Sequence, residues 1–219
     1  MSDGGPAAPP LPIPRVLHQL WIGPRPRPAR LMDGWRAAHP GWAYELWDDA
    51  RCAAFGFRNA AAIGALAEWN GRADVMRYEI LERHGGVFVD ADAEALRPLD
   101  DGLRAHDSFA AYESERLRPG LIACGVLGAC RGNRLMRLCM HAVAAMAPAV
   151  LAAERAWRTV GPGLLTRVVA DARYTELRVY PAYLFYPEHY TGAVHRGPAP
   201  PYARQHWGST RANGYDRLR

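Results

Sequence analysis

At 219 residues, with 49% apolar and 22% charged side chains, the chain has a globular composition and material for one sizeable core. Its net charge of +5 comes from arginines scattered among acids, so a small anionic ligand such as a diphosphate suits it better than nucleic acid. Four cysteines without C-x-x-C spacing argue against a structural zinc site, and no apolar run approaches the roughly 20 residues of a membrane span.

Residues 1–12 are built from Gly, Pro and Ala and are expected to be a disordered leader. They carry neither a basic start nor an apolar core of a signal peptide. Together with the sparse cysteines this gives the expectation of a cytoplasmic protein. The run Arg15 to Ile22 reads as a buried first strand ending at Gly23. Residues 24–30 alternate Pro and Arg and read as a solvated loop. Leu31 to His39 is expected to be a helix stopped by Pro40, and Trp42 to Trp47 a second strand followed by Asp48 and Asp49. This strand–helix–strand opening marks an α/β protein.

The alanine-rich residues 59–70 read as a helix ended by Asn70-Gly71, and a second helix is expected from Ala73 to His84, stopped by Gly85-Gly86. Val87-Phe88-Val89 then reads as a short inner strand. Further strands are expected at 109–113 and 122–127, and helical pattern runs from Leu135 to Arg158 with a break at Pro148. Gly161 to Asp171 starts in a turn and becomes helix; Val179 to Tyr186 reads as a proline-interrupted edge segment, and everything from 197 onward as loop and tail.

The chemistry is concentrated at Asp90 and Asp92. They stand two apart at the end of an apolar strand, where ligands bind in open α/β sheets. On a continued strand both carboxylates project to one side. Adjacent carboxylates repel unless a cation relieves them. Magnesium or manganese held by such a pair keeps positions open for phosphate oxygens. Asp74 and Arg77 share a helix face at i,i+3, either as a surface ion pair or as a clamp on a sugar donor.

Three ordered motifs give these residues a context: Ile13-Pro14-Arg15-Val16-Leu17-His18-Gln19-Leu20-Trp21, then Pro40-Gly41-Trp42-Ala43-Tyr44-Glu45-Leu46-Trp47-Asp48-Asp49, then Asp74, Arg77, Tyr78, Leu81, Gly85, Gly86, Asp90 and Asp92. In this pattern the chain resembles the retaining glycosyltransferases with a DXD sugar-binding region, a glycosyltransferase family 32-like group that includes bacterial capsular-polysaccharide transferases. It departs from the pattern at Arg72, where a small Ser is usual, and at Phe88, where Tyr is usual. The resemblance covers residues 13–100 well and the remainder weakly.

The resemblance implies a GT-A fold, Rossmann-like, with a mixed central sheet flanked by helices. It implies one glycosyltransferase domain over 13–219, with a donor-binding half at 13–100 and an acceptor side and C-terminal lid at 101–219. By the same resemblance Trp21 stacks on the base, Tyr78 lines the donor pocket or packs in the core, and Asp90 and Asp92 hold Mn2+ or Mg2+. The late segment His206-Trp207-Gly208-Ser209 also fits, with Thr210 where Trp is expected. His206 is thereby a candidate third metal ligand and Ser209 a donor contact. The implied activity is transfer of a sugar from a UDP- or GDP-sugar to an acceptor hydroxyl with retention, with Asp92, Asp90 and Arg77 as the catalytic set. The acceptor is a small molecule, a glycan or a lipid-linked intermediate. Two rival classes share these features. A metal-dependent phosphatase or hydrolase also uses paired aspartates, and a non-catalytic sugar-nucleotide-binding module would keep the same fold.

Overall fold

The computed structural model describes residues 12–211 and 214–218. Residues 1–11, which hold nearly all of the expected leader, lie outside the described residues.

The first three strands, β1 (Val16–Leu20), β2 (Ala43–Trp47) and β3 (Gly86–Val89), are parallel neighbours in the order β2-β1-β3. Their crossovers carry helices α1 (Ala29–Ala38), α2 (Asp49–Phe55), α3 (Ala60–Ala65) and α4 (Trp69–His84). A short strand β4 (Ala93–Ala95) follows β3. The chain then forms a hairpin, β5 (Ser108–Ser114) and β6 (Arg118–Ala129). β6 lies antiparallel to β3, so the six-stranded sheet reads β2-β1-β3-β6-β5-β7, closed by the parallel edge strand β7 (Leu177–Tyr180). Between β6 and β7 run α5 (Arg134–Ala144), α6 (Pro148–Ala153), α7 (Ala156–Thr159) and α8 (Pro162–Asp171). A last strand, β8 (Ala203–Gln205), returns to pair antiparallel with β4 as a separate two-stranded sheet. This is a mixed α/β fold with helices on both faces of a central sheet.

The period-2 alternation of β3 divides its side chains between two cores. Phe88 enters the core with α4, α5 and α8, whereas Val87 and Val89 enter the other with Trp35 of α1 and Phe185. Among the described residues no helix is long and apolar enough to cross a membrane.

Three local expectations change. Asn70-Gly71 does not end a helix; it lies in the first turn of α4. A Cβ on Gly71 would stand 2.6 Å from the Ala156 Cβ, so this glycine serves the close approach of α7 to α4. Helix α2 is absent from the expectations although Asp48 announces it: the Asp48 carboxylate accepts from the Arg51 N–H at 2.8 Å, and Gly56 ends the helix at φ 69°. The third change matters most. The strand stops at Val89, and residues 90–93 turn, with Ala93 N–H donating to the Asp90 carbonyl at 3.1 Å. Asp90 and Asp92 therefore do not share one strand face. They are brought together by the turn and by the returning β8.

Candidate functional site

Asp90 is anchored from below by the opening motif of the chain. His18 is fully buried; its Nε2 lies 2.8 Å from the Gly85 carbonyl and Trp47 Nε1 donates to its Nδ1 at 3.1 Å. That pair of bonds fixes a neutral ring with the proton on Nε2, and burial pushes its pKa down to about 4. Gln19 donates to the Asp90 carbonyl at 3.4 Å and accepts from the Tyr44 hydroxyl at 2.9 Å. His18 and Gln19 thus brace the end of β3 and take no part in the site surface.

The Arg77 side chain rises from α4 and is 3% exposed. Its Nη2 donates to Asp90 Oδ1 at 2.6 Å and lies 3.6 Å from Asp74 Oδ1, and its Nη1 donates to the Cys124 carbonyl. The guanidinium lies over the Phe88 ring at 4.6 Å. Burial opposes its charge, and the Asp90 and Asp74 carboxylates more than restore it. Asp74 is buried against Gly161, where a Cβ would meet its Oδ2 at 2.5 Å. Burial raises the Asp74 pKa to about 7 against the pull of Arg77, with Asp90 adding to the rise. Gly125 makes the same kind of room for Asp90: a Cβ there would stand 2.9 Å from both Asp90 Oδ2 and the Tyr186 hydroxyl.

Asp92 is 4% exposed. Its Oδ2 accepts from the Gly208 N–H at 2.6 Å and its Oδ1 from Gln205 Nε2 at 2.8 Å; the same Nε2 lies 3.3 Å from Asp90 Oδ2. The two carboxylates therefore converge on one amide nitrogen. Burial first, and the Asp90 charge second, raise the Asp92 pKa to about 6, against the hydrogen bond from Gly208. Trp207, between them in sequence, holds a left-handed backbone at φ 59°, rare for so large a residue. Its ring packs on Tyr186, His189 and Tyr190, and its Nε1 donates to the Glu188 carbonyl at 2.8 Å.

The remaining expected residues divide. Trp21 stands at the rim, half-buried, its Nε1 donating to the Arg25 carbonyl at 2.7 Å and its ring edge-on to Tyr215 at 5.0 Å. Tyr215 lies close to the Ser209 side chain, and its pKa is raised by burial and by the charges of Asp92 and Asp90. Trp21, Ser209 and Tyr215 thus gather over the acidic pair. Tyr78 lies inside the core: fully buried, its hydroxyl donates to the Val160 carbonyl at 2.9 Å. His206 turns away from Asp90 and Asp92 toward Glu94, Nε2 to Oε2 3.1 Å. Among the described residues no three His, Cys, Asp or Glu side chains form a metal-binding group.

The donor set still fits a hard divalent cation in kind. Arg77 pairs with Asp90 and Asp74, and Asp92 stands beside Asp90 with no cationic side chain of its own among the described residues, which leaves negative charge uncompensated. The Gln205 carbonyl oxygen is buried without a hydrogen-bond partner, an unused oxygen donor beside both aspartates. Two carboxylates and an amide oxygen suit magnesium or manganese when substrate phosphates supply further ligands. Gln205 and Gly125 had no sequence signal of their own, and the segments holding Gly161 and Gly208 were legible without the contacts these glycines make. A Gln or Gly announces nothing until a long-range contact gives it a partner.

Comparison with known proteins adds kinship to this geometry. The family described as "Glycosyltransferase sugar-binding region containing DXD motif" matches residues 27–110. Inositol phosphoceramide mannosyltransferase 1 of Schizosaccharomyces pombe is 33% identical over 97 residues, 40% of this chain and 30% of that protein. Inositol phosphoceramide mannosyltransferase 3 of the same yeast is 28% identical over 134 residues, 55% of this chain and 34% of its own length. The chain thus spans about a third of the length of these relatives. Among solved structures, PaToxG glycosyltransferase superposes with a TM-score of 0.55 at 12% identity, covering 75% of this chain and 71% of that one. The ligand-free glycosyltransferase domain of the YGT toxin gives 0.52 at 9% identity, covering 77% and 80%. Residues 27–110 are thus similar to the sugar-binding region of DXD-motif glycosyltransferases, and the fold matches GT-A-like glycosyltransferase structures.

Proposed function

We propose that the chain is a glycosyltransferase that moves a sugar from a nucleoside diphosphate donor, UDP- or GDP-linked, to an acceptor hydroxyl with retention at the anomeric carbon. The observation that carries the reading is the convergence of Asp90 and Asp92 on one amide, beside a buried arginine and beneath an aromatic rim. The bond from the anomeric carbon to the diphosphate breaks, a bond to the acceptor oxygen forms, and the acceptor proton leaves with the diphosphate. Asp90 and Asp92 hold a divalent cation, Mn2+ or Mg2+, which when bound neutralises charge on the departing diphosphate. Arg77 orients Asp90 through the bond to its Oδ1, and Asp74 fixes Arg77 from the other side. Gly208 and Gln205 hold the Asp92 carboxylate in place. Trp21 offers a flat face to the base at the rim, with Ser209 and Tyr215 beside it.

Residues 13–100 supply the donor half, and 101–219 the acceptor side and the cover over the pair. His206 is left as an outer contact through Glu94. Four buried free cysteines suit a reducing compartment such as the cytoplasm.

The test is a panel of nucleoside diphosphate sugars with and without manganese, following release of nucleoside diphosphate. Metal-dependent release is expected with one donor and is lost in Asp92→Ala. Release that is indifferent to metal, or unchanged in that variant, removes the assignment. Inorganic phosphate release without sugar transfer would instead place the chain among hydrolases.

A further inference from the structure

A cavity of about 570 Å3 opens between the β5–β6 turn and the segment 181–196. Its volume lies in the range of small-molecule sites. Glu115 and Arg116 line one wall, and Pro181, Tyr183, Val194, His195 and Arg196 the other. The cations of this lining are free: among the described residues neither Arg116 nor Arg196 has an ion-pair or hydrogen-bond partner for its guanidinium. Neighbouring arginines are engaged, Arg118 with Glu113 at 3.4 Å and Arg204 with Glu94 and Glu188 at 3.7 and 3.8 Å. The lining's one carboxylate does not neutralise them, because Glu115 Oε1 accepts from the Ala182 N–H at 2.8 Å.

His195 sharpens the picture. It is 8% exposed, its N–H donates to the Pro187 carbonyl at 2.8 Å, and its Nε2 is buried with no partner. A buried polar atom left unpaired is unfavourable, and such an atom calls for an explanation. A ligand in the cavity that draws the ring outward supplies one. Beside these groups, Val194 is 47% exposed and Tyr183 is half-buried, giving an apolar wall.

We propose that this cavity seats the acceptor through a phosphate group. The identification of the ligand as an acceptor rests on the transferase reading above; the anion site itself does not. Two guanidinium forks from opposite walls and one imidazole nitrogen match the three oxygens of a phosphate ester better than the two of a carboxylate. Tyr183 and Val194 then pack on the carbon portion of the ester. The segment that forms the second wall also leads to the acidic pair. Tyr186 lies beside Asp90, and Glu188 receives the Trp207 indole. A phosphate held here points the rest of its molecule along that segment toward Asp90 and Asp92.

The test titrates glycerol 1-phosphate, and glycerol as its uncharged control, into the full chain and into the R116S/R196S variant, by calorimetry and by the ring nitrogen signals of His195. Both arginines are exposed, so the variant is expected to fold, and its release of nucleoside diphosphate without acceptor is expected to stay at the wild-type level. The phosphate ester binds the wild type and shifts the His195 signals; glycerol does not. The double variant binds the ester at least tenfold more weakly. In a second arm the chain is sedimented with phosphatidylcholine vesicles, with and without phosphatidylglycerol. Retention on the anionic vesicles alone, lost in the double variant, assigns the phosphate to a lipid headgroup, and binding of the soluble ester without retention assigns it to a free ester. No binding in either arm, equal binding of glycerol, an unmoved His195 ring or an unaffected double variant overturns the proposal. Failure of the transferase reading would show separately, as absence of metal-dependent release by the wild type.

Discussion

Arg77 is the side chain on which the charges of the site depend. It is buried between Asp90 and Asp74, and an unpaired carboxylate in such a place is expensive. Arg77→Met is therefore expected to lower stability by about 3–5 kcal/mol, read from urea unfolding. A loss below ~1 kcal/mol would mean that the carboxylates find water or protons cheaply. Asp92→Asn keeps the shape and removes the charge. It should unfold like the wild type while metal-dependent release falls on the order of a hundredfold. His18 gives a prediction in pH. Its folded pKa of about 4 lies below the ordinary 6.5, so the unfolded chain takes up the proton first, and stability is lost as pH falls from about 6.5 to about 4. Asp74 and Asp92, raised to about 7 and about 6, act with the opposite sign, gaining stability over a similar fall. The clean measurement is thus the stability difference between wild type and His18→Gln. That gap should shrink by up to roughly 3 kcal/mol between pH 7 and pH 4; a constant gap would show that His18 is not held neutral.

At the scale of elements, helix α4 shows what a sequence does and does not reveal. Its apolar spacing and the Gly85-Gly86 stop were legible because they are local. Asn70-Gly71 misled because a glycine chosen for close packing looks the same as one chosen for a turn. Gly71→Ala tests the distinction. Helix propensity alone predicts a gain of about 1 kcal/mol. Contact with Ala156 predicts a net loss of about 1–3 kcal/mol, relieved by adding Ala156→Gly. Stabilisation in the single variant would return Gly71 to a propensity effect. Strands β4 and β8 were missed for a related reason. Three residues carry too little period to be seen, and each exists only as the other's partner. The same limit applied to the site. Asp90, Asp92, Asp74 and Arg77 were legible as a motif, whereas Gln205 and Gly208, which hold Asp92, come from 113 and 116 residues further along.

Over the whole molecule, the site is closed by contacts between segments far apart in the chain. β8 pairs with β4 directly after Asp92, and the residues that follow carry the Gly208 N–H to its carboxylate and the Tyr215 ring to Trp21. The strand pairing of the central sheet uses none of these contacts: β3, β5, β6 and β7 are paired among themselves. A segment tied to the fold by a single three-residue strand pair opens at lower free energy than the six-stranded sheet. Ligand that touches both should therefore protect the segment selectively. Hydrogen exchange of the full chain is expected to show amides of 203–211 exchanging much faster than those of β3 and β6. Adding manganese with a nucleoside diphosphate should slow the segment at least tenfold and leave the sheet unchanged. Asp92→Ala should abolish that protection. Gly208→Pro, which deletes the backbone N–H given to Asp92 Oδ2, should weaken it while the sheet's exchange stays as in the wild type. Protection spread evenly over the fold would mean that ligand stabilises the chain globally, and the C-terminal segment would then have no particular part in holding the donor.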